Sequence, residues 1–159
     1  MNQVYPQPGM NEEEIRATLG KSELLADLDP TALMFLVRLG HRRTFQPGDV
    51  LMRQGEPSSS IHFVLSGTVR AERARRTDDR PVKLADLEAG AVVGEMGVLI
   101  DIPCSATLTA LVATESLELD RPNFERLAKA YPILHRVIAR LLSERLRASE
   151  SRIGQSLPS

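Results

Sequence analysis

The chain has 159 residues, of which 42% are hydrophobic and 26% charged, enough apolar material for one domain with a buried core. Its 20 Lys and Arg residues nearly balance 21 Asp and Glu residues, so the net charge does not indicate binding to nucleic acid or to an anionic membrane. No apolar run approaches the roughly 20 residues of a membrane span, and the single cysteine, Cys104, excludes an internal disulfide and a cysteine-based zinc cluster. The composition predicts a soluble cytoplasmic module.

Helix signals open and close the chain, and we expect one domain over residues 11–151 between a disordered N-terminus (1–10) and a disordered tail (152–159). Asn11 is placed to cap a helix whose first turn holds three glutamates. A second helix begins with Asp29 as its N-cap and Pro30 at its first position, and Gly40 ends it.

Short strands separated by turn residues are predicted for the middle of the chain. We expect them at residues 50–52, 61–65, 68–74, 82–87, 105–112 and 115–120. In one of them Ile61, Phe63 and Leu65 alternate onto one face, which leaves His62 as an expected surface residue. Many short strands at close spacing favour a β-barrel or a double-sheet jelly roll.

Helical spacing returns after Asp120, which is placed to cap a helix with Pro122 near its start. Pro132 opens a longer helix with an apolar stripe. The stripe comprises Leu134, Val137, Ile138, Leu141, Leu142 and Leu146. It is wide enough to pack on the strands, to form a homodimer through the helix 132–149, or to do both.

Five short motifs in this order resemble the cyclic-nucleotide-binding domain family. They are residues 46–50 (QPGDV), 53–56 (RQGE), 63–67 (FVLSG), 90–95 (GAVVGE) and 103–107 (PCSAT). The family includes sensor domains of catabolite-activator-type regulators, protein kinase A regulatory subunits and nucleotide-gated channels. The resemblance covers roughly residues 24–151 and implies an α+β fold: an antiparallel β-roll (double-stranded jelly roll) flanked by N-terminal helices and two C-terminal helices.

The same resemblance assigns ligand contacts to residues 94–110, which we call the cassette. In the family the first amides of a short helix face the cyclic phosphate, because a helix N-terminus has unsatisfied donors. Those amides correspond here to Glu95, Met96, Gly97 and Val98, which follow Gly94. Glu95 also occupies the position that accepts a hydrogen bond from the ribose, and we expect Gly94 and Gly97 to let the backbone approach an anion.

Cys104 stands where the family has its phosphate-binding arginine. A charge-assisted hydrogen bond contributes about 1.5–3 kcal/mol, and a guanidinium makes two of them to a phosphate. Losing about 3 kcal/mol weakens binding about a hundredfold. We therefore expect only low affinity for cAMP or cGMP as a ligand. We expect no cofactor.

Four other residues are candidate ligand contacts, each with an ordinary alternative. Arg73 is in phase with the inward-facing Val69 and Ala71, so it is a candidate compensating cation unless a twist or bulge turns it to water. Ser105 and Thr107 are candidate phosphate or wall contacts, or plain strand residues. Ser149 lies where some family members contact the base.

Cys104 itself has two interpretations. A partly exposed thiol near a helix N-terminus has a lowered pKa and is a candidate redox sensor. A small residue that fills the volume of an absent arginine is the simpler alternative.

Catalysis is the least favoured class of function. Residues 20–22 (GKS) lack the upstream glycine and the strand of a phosphate-binding P-loop. No nucleophile elbow or paired histidines are present in the sequence. Basic residues around the hairpin near Arg70 alternate with carboxylates, which indicates a solvated face. The transcription-factor members of the family carry a helix-turn-helix domain after the long helix, whereas this sequence stops at Ser159, so we expect no direct DNA binding by this chain.

Two functions remain open at this point. The first is a regulatory sensor module that binds a cyclic nucleotide or another small anion weakly and relays binding through its C-terminal helix to an effector protein. The second is a degenerate, ligand-free member of the family that serves as an interaction or dimerisation scaffold.

Overall fold

The computed structural model describes residues 10–22, 25–75, 77, 78 and 80–156, without the side chains of residue 145 and residues 148–156. The elements, in chain order, are α1 (Glu12–Gly20), α2 (Pro30–Leu39), β1 (His41–Phe45), β2 (Val50–Met52), β3 (Ser60–Ser66), β4 (Val69–Ala74), β5 (Pro81–Leu87), β6 (Val92–Val93), α3 (Glu95–Ile100), β7 (Thr107–Ala110), β8 (Thr114–Asp120), α4 (Arg121–Ala130) and α5 (Ile133–Ser156). The strands form two four-stranded sheets in the orders β1-β8-β3-β6 and β2-β7-β4-β5. Their pairings are antiparallel, which confirms the predicted α+β roll as two sheets rather than a closed barrel.

The predicted helix caps are confirmed because each depends only on neighbouring residues. The Asn11 side chain accepts from the Glu14 amide at 2.8 Å, and the Glu14 carboxylate accepts in return from the Asn11 amide. Asp29 accepts from the Ala32 amide at 2.8 Å at the start of α2. Asp120 accepts from the third residue of α4 at 2.9 Å. These bonds satisfy amides that have no partner inside the helix.

Two apolar clusters lie on opposite faces of the first sheet. Ile61, Phe63 and Leu65 of β3 face the helices, as their alternation predicts, and join the larger cluster with residues of α1, α2, α4 and α5. On the other face, Val64 packs against β4 and β7 of the second sheet, where it meets Val69, Ala71 and Leu108. The space between the sheets is therefore the inside of the roll.

The apolar stripe of α5 packs mainly on its own chain. Leu134, Val137, Ile138 and Leu141 are buried in the larger cluster. Leu142 is partly buried at its edge, whereas Leu146 is 62% exposed. The part of the stripe nearest the roll is thus core, and a surface for a second chain remains only towards the end of the helix.

Two strands were missed by the sequence analysis. β1 is almost entirely exposed and polar, so it has no alternation of apolar residues to recognise. It forms by pairing with β8 across the whole of its length, from His41 opposite Glu118 to Phe45 opposite Thr114. β6 has only two residues and is recognisable only from its pairing with β3.

The structure describes residues at both predicted domain boundaries, near residue 11 and near residue 152. Met10 packs, partly buried, against the larger cluster, next to the predicted start at residue 11. α5 continues to Ser156 and so runs into the segment 152–159 that was expected to be a disordered tail. Residues 1–9 and 157–159 lie outside the described residues.

Candidate functional site

The cassette begins with a glycine in a conformation that other residues rarely adopt. Gly94 has φ 84° and precedes α3, the short helix implied by the family resemblance. A Cβ atom at this position would lie 2.5 Å from the carbonyl oxygen of Ser60. Both the backbone angle and the packing against β3 therefore require glycine here.

Gly97 is required by packing as well. A Cβ atom at this position would overlap the carbonyl oxygen of Ser58, in the segment that leads into β3. The expected role of Gly94 and Gly97 was to let an anion approach the backbone. Their Cβ positions point at protein backbone, so the packing of α3 against residues 58–60 is a reason of its own for both glycines, and the role in anion approach stays a prediction.

Glu95 is the first residue of α3, and its side chain is completely buried. Since it has no contact with solvent here, a ribose hydroxyl reaches it only if the surrounding side chains move apart. Val98 is also buried and Met96 is half-buried. Within the described part of the chain, the amides of Met96, Gly97 and Val98 donate to no acceptor outside α3.

Cys104 is held at the inside of the roll by backbone bonds to the turn that follows β2. Its amide donates to the carbonyl of Glu56 at 2.9 Å, and its carbonyl accepts from the amide of Gly55 at 2.8 Å. The half-buried side chain packs against the cluster between the sheets. Burial raises the pKa of the Cys104 thiol, an effect that a hydrogen bond from Ser58 partly offsets.

This raised pKa counts against the redox hypothesis, which stays a prediction. The hypothesis required a thiolate stabilised by a helix N-terminus, whereas the largest effect on this thiol is desolvation, which disfavours the charged form. The half-buried position of Cys104 agrees with the alternative of a small packing residue, but the cavity beside it shows that cysteine does not fill the volume of an arginine.

A cavity of about 280 Å³ opens beside Cys104. It is lined by Arg43, Phe45, Val50, Leu51, Met52, Arg53, Glu56, Pro57, Ser58, Ser59, Ser60, His62, Cys104 and Glu118. Its wall carries hydroxyl groups, guanidinium groups and two carboxylates, so it has both donors and acceptors. The cavity leaves room for a side chain longer than cysteine at position 104.

Arg73 contacts the cassette, but its side chain is exposed and does not point into the roll. Arg73 is exposed near the end of β4. The register of β4 against β5 shifts between Ala71 and Glu72, but the extra residue, Leu84, lies on β5, and β4 keeps an unbroken register with β7 through Glu72. Arg73 therefore lies in water, as the alternative had it, but a bulge in β4 is not the cause. The guanidinium nevertheless reaches the cassette, because its Nε donates to the carbonyl of Ser105 at 2.9 Å.

The remaining predicted contacts have separate surroundings. Ser105 is exposed next to Cys104, whereas the hydroxyl of Thr107 accepts from the amide of Gln54 at 3.0 Å and so fixes the turn after β2. Ser149 lies on α5, and its side chain is outside the described residues.

A buried polar network on the inside of the roll was missed by the sequence analysis. His62 is only 5% exposed, which corrects its assignment as a surface residue. Its Nδ1 lies 3.1 Å from the hydroxyl of Ser116, and its Nε2 lies 3.8 Å from the Glu118 carboxylate, which also pairs with Arg43 at 3.0 Å. Alternation placed His62 opposite Phe63 correctly, but the second sheet covers that face.

Charges on the hairpin of β4 and β5 neutralise one another. Asp86 bonds Arg70 at 2.9 Å and Lys83 at 3.0 Å. The Arg70 guanidinium, followed by the Lys83 ammonium, lowers the pKa of Asp86 to about 2. This hairpin thus agrees with the expected solvated, internally paired face.

Arg121, the first residue of α4, is a further cassette contact without a local sequence signal. Its Nη2 donates at 2.7 Å to the carbonyl of Gly97 and at 2.7 Å to the carboxylate of Asp101. These partners lie 24 and 20 residues earlier in the chain.

None of the helices within the described residues is both long enough and apolar enough to cross a bilayer.

Comparisons with known proteins identify the family. Residues 42–131 match the family described as cyclic nucleotide-binding domain. An acetyltransferase, Pat, of Mycolicibacterium smegmatis is 31% identical over 136 residues, or 85% of this chain and 40% of that protein. A cyclic nucleotide-gated potassium channel of Mesorhizobium japonicum is 31% identical over 128 residues, which are 80% of this chain and 34% of the channel.

A solved structure agrees with these sequence matches. The crystal structure of the catabolite activator protein of Thermus thermophilus superposes with a TM-score of 0.79 at 29% identity, over 83% of this chain and 62% of that one. The chain therefore spans well under half of the two curated relatives and rather more of the activator. On the match over residues 42–131, this chain belongs to the cyclic nucleotide-binding domain family.

Proposed function

We propose that this chain is a regulatory, non-catalytic sensor module that binds a cyclic nucleotide or another small anion weakly or through altered contacts. Binding at the cassette changes the position of α4 and α5 and so signals to an effector protein. Membership of the cyclic nucleotide-binding domain family supports the ligand class. The absence of an arginine at position 104 is the reason to expect altered contacts.

The observation that carries this proposal is the position of Arg73. Its guanidinium donates to the carbonyl of Ser105, one residue from Cys104. The side chain is exposed and forms no ion pair within the described residues, so it is free to turn towards a phosphate bound at the cassette. One guanidinium on a neighbouring strand supplies part of the interaction that Cys104 cannot supply.

Isothermal calorimetry on the whole chain with cAMP and cGMP at millimolar concentration tests the proposal. We expect a dissociation constant of about 0.1 mM, which is a hundredfold above a micromolar site. 5′-AMP and inorganic phosphate are the matched controls, since they separate recognition of the cyclic ester from general anion binding. The absence of both heat and a thermal shift with every anion would contradict the proposal.

A scaffold without a ligand is the second candidate. Two observations favour it. Cys104 packs into the apolar cluster between the sheets, and Leu146 of α5 is 62% exposed. Analytical ultracentrifugation over a wide concentration range tests for a homodimer through the helix 132–149. A dimer that Leu146→Glu dissociates would support this function, and a monomer at every concentration would count against it.

A further inference from the structure

Arg121 connects the cassette helix to the start of α4 by side-chain and backbone bonds. One guanidinium nitrogen, Nη2, donates at 2.7 Å to both the Gly97 carbonyl and the Asp101 carboxylate. The amide of the same residue donates to the carbonyl of Ser59 at 2.9 Å. A single residue therefore bonds α3, the residue that ends α3, and the segment on which α3 packs.

The bond to Asp101 holds an unusual backbone conformation. Asp101 has φ 59°, the only positive value for a residue other than glycine in the described part of the chain. The pairing is charge-assisted: the Arg121 guanidinium lowers the pKa of Asp101, and Asp101 raises the pKa of Arg121. The end of the cassette helix is therefore bonded to a residue of α4.

The bridge also leaves a cost in Arg121 itself. Its Nε is buried and has no hydrogen-bond partner within the described residues. Buried donors are almost always paired, because an unpaired one loses its bonds to water without replacement.

Movement of the cassette has a direct physical path to α5. α3 packs so closely on Ser58 that Gly97 has no room for a side chain. Arg121 then joins α3 to α4, whose Phe124 and Leu127 share the larger apolar cluster with Leu134 of α5. Because packed interiors transmit displacements, a shift of α3 changes the position of α4.

We propose that Arg121 is a positioning residue that sets the place of the cassette helix and transmits its displacement to α4. The positioning role concerns the chain without ligand. The transmission role rests on the proposed function, because it requires an anion that displaces the cassette.

Hydrogen exchange of the whole chain without ligand tests the positioning role. Arg121→Gln removes the guanidinium that bonds both Gly97 and Asp101. Asp101→Asn removes only the negative charge opposite that guanidinium. Arg126→Gln is the control, because Arg126 is an exposed arginine of the same helix. We expect exchange of the amides of residues 96–101 to rise about tenfold in Arg121→Gln and less in Asp101→Asn, with β3 and residues 137–141 unchanged. Unchanged exchange at residues 96–101, or an equal rise throughout the domain, would overturn the proposal.

NMR with cAMP, on wild type and Arg121→Gln, tests the transmission role. In wild type we expect shifts in both α3 and α4, and in Arg121→Gln shifts in α3 alone. An equal response of α4 in the two proteins would overturn transmission by Arg121. If cAMP and the other anions change nothing in wild type, the proposed function and the transmission role fail together, and the exchange experiment still decides the positioning role.

Discussion

The carbonyl oxygen of Ser58 occupies the space that a Cβ atom at Gly97 would require. Because of this contact, the cassette helix α3 packs directly against the backbone that leads into β3. It also places Ser58 between α3 and Cys104, whose thiol it hydrogen-bonds. The geometry of the candidate site therefore depends on close backbone packing as well as on polar side chains.

Gly97→Ala is expected to destabilise the domain, because the added methyl group forces α3 away from Ser58. Overpacking of this kind lowers the free energy of unfolding by about 1–3 kcal/mol. Urea unfolding measures it as a lower midpoint with an unchanged m-value. Gly20→Ala is the matched control, since its Cβ would meet only Leu33 Cδ1 at an ordinary 3.8 Å. Equal midpoints for Gly97→Ala and wild type would show that α3 is free to shift.

Cys104→Arg is expected to strengthen cyclic-nucleotide binding about a hundredfold, by restoring a guanidinium with two charge-assisted bonds. The 280 Å³ cavity beside position 104 can accept the longer side chain. Calorimetry with cAMP measures the change, and Cys104→Ser controls for the loss of the thiol. A folded Cys104→Arg protein that binds no better than wild type would mean that more than the arginine is missing from the pocket.

Arg73→Gln is expected to weaken binding of a cyclic nucleotide to the wild-type cassette about tenfold, the loss of one charge-assisted bond. Arg75→Gln removes the same charge from an exposed position two residues away, where the arginine side chain forms no hydrogen bond or ion pair within the described residues. Titration in parallel by calorimetry separates a specific contact from a general charge effect. If both variants weaken binding equally, Arg73 is not the compensating cation.

His62 is expected to make folding stability sensitive to acid. Burial lowers its pKa below 6.5, with Arg43 adding to the effect and Glu118 opposing it. Because the folded state binds this proton less readily than the unfolded state, its contribution is present above the ordinary pKa and is lost as the pH falls below it. Urea unfolding from about pH 8 to about pH 5 measures the slope. We expect His62→Gln to flatten it, whereas the same change at the exposed His41 should leave it intact.

Cys104 is expected to react slowly with iodoacetamide at neutral pH. Its raised pKa keeps the thiol protonated, and the thiolate is the reactive form. Labelling should accelerate only above the usual range for cysteine, and unfolding the protein in urea should restore ordinary reactivity. Labelling of the native protein at neutral pH as fast as the unfolded one would restore the redox hypothesis.

Residues whose environment is local were predicted correctly. The caps at Asn11, Asp29 and Asp120 each bond an amide three residues away, so a short sequence window contains both partners. The same is true of alternation in β3, where Ile61 and Phe63 share a face whatever lies opposite them. These features locate individual helices and strands, whereas the fold class and the place of the cassette followed from the resemblance of five motifs to the family.

Residues whose environment is set by distant segments of the chain were not predicted correctly. Arg73 is exposed, and its bond to the carbonyl of Ser105, 32 residues later in the chain, has no signal in the sequence of β4. β1 is polar and exists because β8 lies beside it.

By itself, the sequence determined most of the helices and strands, because hydrogen bonds and side-chain periodicity act within a few residues. The cassette, and the expectation that Cys104 replaces an arginine, rest on the resemblance of the motifs to the family. Only the tertiary structure decided that His62 is buried between two sheets, that Arg73 meets Ser105, and that Arg121 joins α3 to α4. The partners in those contacts are tens of residues apart, and their meeting is set by how the two sheets and the helices pack.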